Sequence, residues 1–214
     1  MVKTTHQFLD KYPINNDSKK LILGTIHPHN VESFEIPFFY GNVSSLWKIF
    51  SEAFPAELNK PLTLRKILQF LTDREISVSD TIRSCYRKTP NSAADKDLEP
   101  IEFNKQLINA IRDSKITKIF FTSGFGKNNA FKLFYKDILK QKITIDIRNN
   151  REVILDEMFF GRPIKLIVLY SPSKAATRGI VKSKAYKKSG FNSVHNFLVD
   201  YYRKKFNDNK EIKL

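Results

Sequence analysis

Residues 20–47, KLILGTIHPHNVESFEIPFFYGNVSSLW, decide how the chain is read. An apolar run, Leu21-Ile22-Leu23, ends at Gly24 and opens into a polar loop with His27 and His29 on either side of Pro28. An aromatic cluster follows, Phe38-Phe39-Tyr40, and then Gly41-Asn42. Beyond it a helical pattern, capped by Ser44 or Ser45, carries Leu46, Trp47, Ile49, Phe50 and Phe54. A short apolar run closed by glycine reads as a buried strand. In open α/β sheets, ligands sit in the crevice beyond the carboxyl ends of such strands. A loop this dense in polar and aromatic groups marks the edge where a site is built.

Working outward, residues 3–12 read as a short helix and Leu62–Leu71 as an amphipathic one. Ile76–Asp80 alternates like a short strand and runs into Thr81-Ile82-Arg83; residues 88–100 are a loop and Ile101–Ser114 a helix. Ile116–Thr122 is a buried strand, with a helix over about 128–139 behind it. Lys142–Ile147 and Glu152–Phe160 form a two-stranded excursion turning near Asn149-Asn150. Lys165–Tyr170 is a core strand, and Phe191–Phe206 a closing helix with a polar tail. Strands alternating with helices predict an α/β fold, a three-layer αβα sandwich around a mainly parallel sheet of four or five strands. At 214 residues the chain is most simply one domain over 1–214, with a basic C-terminal helix and tail from about 180.

The formal charge of +15 favours a polyanionic partner. From Lys174 onward, eleven Lys/Arg stand against three Asp/Glu, although a lysine-rich solvated surface would carry the same excess. Lys182-Ser-Lys184-Ala-Tyr186-Lys187-Lys188 mixes cations with an aromatic, as a backbone-tracking surface does. The single cysteine, Cys85, excludes an internal disulfide and any multi-cysteine metal site. No apolar run is long enough to span a bilayer and no signal peptide is legible, so an intracellular, cytoplasmic protein is expected, taken as a monomer. Gly124-Phe125-Gly126 is similar to a nucleotide-binding turn but lacks the full glycine fingerprint.

Three strand-end segments, in this order and spacing, resemble the uracil-DNA glycosylase superfamily. Gly24-Thr25-Ile26-His27-Pro28-His29 with Phe38-Phe39-Tyr40-Gly41-Asn42 resembles its first motif, and Ile76–Cys85 the strand that carries a base-reading residue. Tyr170-Ser171-Pro172-Ser173-Lys174-Ala175-Ala176-Thr177-Arg178-Gly179 is similar to its His-Pro-Ser loop, which pushes a nucleotide out of the duplex. Tyr40-Gly-Asn before Leu46-Trp47, Asp80, and Ser92-Ala-Ala-Asp95 resemble the mismatch-specific and hypoxanthine-DNA glycosylase branch.

The resemblance implies a monofunctional glycosylase that needs no cofactor or metal and releases a deaminated base, uracil or hypoxanthine, from DNA. Gly24, Thr25 and Ile26 would line the base pocket, with Phe39 or Tyr40 stacking on the base. Asp80 would accept from the base edge, or else simply cap the segment starting at Thr81. Water would be positioned by His27, where relatives carry Asp or Asn, or by Asn42 or Ser44. Ser171 stands where efficient relatives have a histidine, and loss of one such donor costs about 2.7–4 kcal/mol of transition-state stabilisation. Pro172, Ser173, Lys174, Arg178, Lys182 and Lys184 would hold phosphates, and Ala175 or Ala176 replaces a wedge. Two altered catalytic positions keep open a nucleic-acid-binding protein of the same fold that has lost the chemistry. An enzyme on a free nucleotide is a third class, which makes little use of the basic C-terminal third.

Overall fold

A computed structural model describes residues 1–89, 92 and 94–207; three positions of the 88–100 loop and the expected tail over 208–214 lie outside them. Its strands are β1 (Val2–Thr5), β2 (Lys20–Gly24), β3 (Ile76–Asp80), β4 (Ile82–Arg87), β5 (Leu98–Phe103), β6 (Lys118–Phe121), β7 (Glu152–Leu155) and β8 (Ile164–Val168). Its helices are α1 (Leu46–Ala53), α2 (Leu64–Asp73), α3 (Leu107–Asp113), α4 (Ala130–Lys132, continued by a π-helical turn to Ile138), α5 (Ile145–Asn150), α6 (Glu157–Phe160), α7 (Thr177–Val181), α8 (Lys184–Lys188) and α9 (Val194–Asn207).

Five strands form the main sheet in the order β3-β2-β6-β8-β7. The first four are parallel, and β7 pairs antiparallel along β8 as the edge. Register explains why both faces are apolar. Ile22, Val78, Phe120 and Ile167 line up on one face, in a cluster with Trp47, Phe50, Phe70, Tyr202 and Phe206 from α1, α2 and α9. Leu23, Phe121 and Val168 line up on the other, against Leu107, Ile111, Phe131 and Phe134 from α3 and the α4 segment. Strands buried on both faces are near-continuous apolar runs, which is the pattern Leu21-Ile22-Leu23 carries. Helix starts follow ordinary capping at α2, where the Thr63 side chain accepts from the Lys66 amide. Ser45 holds the cap position of α1 without using its side chain, unlike the sequence expectation.

Several expectations are corrected. Residues 3–12 are not a helix: Val2–Thr5 is a strand that pairs antiparallel with β4 in a second sheet, ordered β1-β4-β5. Ile101–Ser114 divides into the end of β5 and the whole of α3, because the chain turns at Asn104. The two-stranded excursion is a helix, α5, then β7 and α6; Thr144 caps α5 by accepting from the Ile147 amide, which favours helix over strand there. The basic tract after Gly179 contains a short helix, α8, capped by the Ser183 side chain. No helix among the described residues is long and apolar enough to cross a membrane.

Candidate active site

The four parallel strands bring Gly24, Asp80, the Thr122–Gly126 turn and the Tyr170–Ser173 loop to one edge of the main sheet. From β2 the chain goes to β3 on one side, and β6 lies on the other, so the strand order reverses beside β2. A ligand crevice is expected there.

Gly24 is the floor of that crevice. Its register partner on β3 is Asp80, and a Cβ at Gly24 would lie 2.1 Å from the Tyr40 hydroxyl and 2.3 Å from Asp80 Oδ1. Two polar groups thus converge on the space a side chain would fill. The loop that brings Tyr40 there is strained: Tyr40 and Val43 have φ of 57° and 53°, uncommon for residues with side chains and most unusual for a β-branched one. Between them, Gly41 admits no side chain, since its Cβ would sit 1.8 Å from the Ile36 carbonyl oxygen. Tyr40 exchanges a 2.9 Å hydrogen bond with Thr122. Burial of its hydroxyl, helped by the Asp80 charge, pushes Tyr40 well above the ordinary phenol range.

Asp80 is buried and held from outside the motifs. His6, just beyond β1, lies 2.8 Å from Asp80 Oδ2 through Nε2. His6 Nδ1 accepts from the Phe8 and Leu9 amides, so the ring proton sits on Nε2, which donates to the carboxylate. Asp80 Oδ1 is enclosed and has no partner among the described residues, and Asn42 Oδ1 shares that condition.

His27 is built differently from the sequence expectation. Its Nε2 accepts from the Gln7 amide at 3.0 Å, and its Nδ1 donates to the Pro28 carbonyl at 2.6 Å. Burial pushes it down to about 4, against the pull of the Pro28 carbonyl. A neutral ring with both nitrogens engaged has no lone pair to offer water, so the water-positioning role expected of His27 is not available in this arrangement. Phe39 is likewise corrected as a stacking ring: it is 1% exposed, with its carbonyl accepting from Trp47 Nε1 and its ring against His6 and Phe8. Ile26 is also core, packed in a cluster with Ile82, Cys85, Leu98 and Leu133. Tyr40 is the aromatic that reaches the crevice.

Residues outside the motifs complete the site. Thr25 donates to Asp95 Oδ1 at 2.8 Å, and Asn129, with its amide oriented to satisfy both ends, donates to Asp95 Oδ2 at 3.3 Å. Burial raises Asp95 to about 6; the Thr25 and Ser123 hydroxyls oppose the rise and the Asp80 charge adds to it. Arg87, 1% exposed, donates to the carbonyls of Ile26, His27 and Ser92 and ties the first loop to the small sheet. Burial lowers its pKa. Asp95 stands in the sequence signature Ser92-Ala-Ala-Asp95; Arg87 and His6 carry no sequence signal, being fixed only by the pairing of β1 and β4.

The Tyr170–Gly179 loop is accessible. Ser173, Lys174 and Arg178 are exposed, Ser171 and Pro172 half-buried, Lys182 is exposed on the turn after α7 and Lys184 exposed at the start of α8. Ser171 Oγ accepts from the Ser173 amide, and Ser173 Oγ from the Ala175 amide, so both hydroxyl protons are free to donate.

The fold is therefore an open α/β sheet with a polar crevice at its switch point and an exposed hydroxyl-rich loop beside it. No family model and no curated protein matches the chain. Among solved structures, it is similar to the NMR structure of a candidate uracil DNA glycosylase from Methanosarcina acetivorans. The two are 18% identical over 95% of this chain and 98% of that one, with a TM-score of 0.51. The chain shares the fold of that protein.

Proposed function

We propose that the chain is a monofunctional DNA glycosylase that hydrolyses the N-glycosidic bond of a deaminated base, uracil or hypoxanthine, and leaves an abasic site. The observation that carries this reading is Asp80 Oδ1, an enclosed acceptor without a donor among the described residues, beside the Tyr40 hydroxyl at the carboxyl end of a parallel strand. A buried acceptor calls for a donor. The ring N–H of uracil or hypoxanthine supplies one, whereas the matching ring nitrogen of cytosine or adenine is itself an acceptor. The base must first leave the stack to reach such a pocket.

In this reading Tyr40 lines the base and Asp80 reads its edge. Asn42, whose amide oxygen has no partner among the described residues, accepts from the attacking water. Ser171 donates to the departing base, a weaker stabiliser than a histidine, so activity is highest on pairs already weakened. The fold-sharing neighbour, the order of the three loops and the +15 charge support DNA as the partner. We place the chain nearest the hypoxanthine branch, as one three-layer domain acting as a monomer inside the cell. The second reading, a binder of DNA that has lost the chemistry, is favoured by His27, whose nitrogens are both engaged by main chain.

Alkali-revealed strand cleavage of duplexes carrying one uracil, hypoxanthine or xanthine, with enzyme in excess, tests the proposal. Cleavage lost in Asp80→Ala and Asn42→Ala while DNA binding persists is the expected result. Binding without cleavage of any duplex would establish the second reading instead.

A further inference from the structure

On the β6–β8 side of the site lies a groove of about 710 Å3, in which the Tyr170–Gly179 loop faces residues that belong to none of the three loop motifs. One wall is the Gly124-Phe125 turn and the end of α5; the other is the Ser171 loop with α7 and α8. Three cations line it, Arg148, Arg151 and Lys184, and no Asp or Glu does among the described residues. None of the three takes part in an ion pair among the described residues. This is an unneutralised positive groove.

Arg151 is the fixed point. It follows α5 in left-handed backbone, φ 58°, which swings its side chain under the end of β8. Nε donates to the Val168 carbonyl at 2.9 Å and Nη2 to the Leu169 carbonyl at 2.6 Å. The guanidinium lies 4.5 Å from the Tyr170 ring centroid and 5.6 Å from that of Phe125, the faces on which a cation is held. Two of its five N–H groups are engaged by the carbonyls, and the planar fork is held before any ligand arrives. Arg148 sits 5.3 Å from the centroid of the same Phe125 ring. Ser171 and Ser183 both accept from main-chain amides, at 3.3 and 3.2 Å, which leaves each hydroxyl proton for the groove.

A half-buried guanidinium compensated only by carbonyls and ring faces, flanked by two exposed cations and two hydroxyl donors, is a receptor for a doubly ligated phosphate oxygen pair. We infer that this groove seats phosphodiester groups of the DNA strand next to the extruded nucleotide, with Arg151 as the anchor and Arg148 and Lys184 as flanking charges. The inference rests on the glycosylase reading only for the identity of the strand. It routes that strand between α5 and the Ser171 loop, so that the backbone crosses the carboxyl ends of β6 and β8.

The test is DNA-binding affinity of the full chain as a function of salt, for wild type and for Arg148→Ala, Lys184→Ala and the double variant. Both side chains are exposed, so these variants keep the fold, whereas Arg151→Lys tests the fork itself and is checked by its melting curve. Removing one cation that neutralises a phosphate lowers the slope of log K against log salt by about 0.9 on duplex DNA. The expected result is a slope lower by about one in each single variant and about two in the double. Unchanged slopes with salt-sensitive binding retained would overturn the groove and leave base release by the wild type untouched. Lowered slopes with no base released from any duplex would instead overturn the glycosylase reading and keep the groove. Inorganic phosphate or a nucleoside monophosphate displacing DNA at micromolar concentration would assign the groove to a free phosphate ligand and overturn the strand assignment.

Discussion

The Nε2 of His6 donates to Asp80 Oδ2 across 2.8 Å, and the two main-chain amides on His6 Nδ1 leave the proton nowhere else to sit. A neutral histidine thereby holds a buried carboxylate by one oxygen and presents the other, Oδ1, as an acceptor. The histidine satisfies one oxygen of the carboxylate and leaves the other turned into the crevice. The link spans 74 residues and is the reason the small sheet matters to the site.

His6→Ala therefore weakens the site through Asp80. Loss of a hydrogen bond to a buried charge costs about 1.5–3 kcal/mol of stability. Without that donor the Asp80 carboxylate is no longer held by Oδ2, and Oδ1 loses its fixed place in the crevice, so single-turnover base release falls by a larger factor than duplex affinity. His6→Gln, whose amide can donate to Oδ2, restores most of the rate. Melting curves, duplex affinities and single-turnover rates of the three proteins check this; an unchanged rate in His6→Ala would remove His6 from the positioning role.

Gly24→Ala fills the crevice. The new methyl meets the Tyr40 hydroxyl at 2.1 Å and Asp80 Oδ1 at 2.3 Å, both closer than any real contact, so both groups must move. Overpacking of this kind costs about 1–3 kcal/mol. Single-turnover base release falls by far more than duplex affinity, because the exposed loop proposed to hold the phosphates is elsewhere. Equal losses in both would mean that the crevice does not hold the base.

The main sheet was legible because strands buried on both faces write themselves as apolar runs, as at Leu21–Leu23 and Ile119–Phe121. The small sheet was not. In β4 the register slips between Ile82 and Ser84 and again before Cys85, which breaks the period of two, and β5 carries Pro100. Phe103, Leu107 and Ile111 fall at helical spacing although the first belongs to a strand. The site's motif residues could be named from the loops, and the structure brings Gly24, Tyr40 and Asp80 together at the strand ends. His6, Arg87 and Arg151 could not, since each reaches its place through a pairing or a turn made far away in sequence. Phe39 and His27 show the opposite failure. Each sits in a motif position, yet neighbouring side chains and amides use up its ring face or its nitrogens.

His27 and Asp95 give the stability curve opposite slopes in overlapping windows. His27 has its pKa lowered from 6.5 to about 4, so below pH 6.5 the unfolded chain takes up a proton that the folded one refuses, and stability falls as pH drops toward 4. Asp95 has its pKa raised from 3.8 to about 6, so the folded chain takes up a proton first, and stability rises as pH drops from 6 toward 4. Each slope is at most about 1.4 kcal/mol per pH unit, and between pH 6 and 4 they largely cancel. In Asp95→Asn the Thr25 hydroxyl keeps an acceptor and the Asn129 amide can turn to meet the new donor, so that variant melts at progressively lower temperature as pH falls from 6.5 to 4. His27→Gln shows the reverse, a melting temperature that rises as pH falls from 6 to 4. Melting temperatures at half-unit steps across roughly pH 4–7 decide the matter. Wild-type and variant curves that run parallel would show that neither group titrates with the fold.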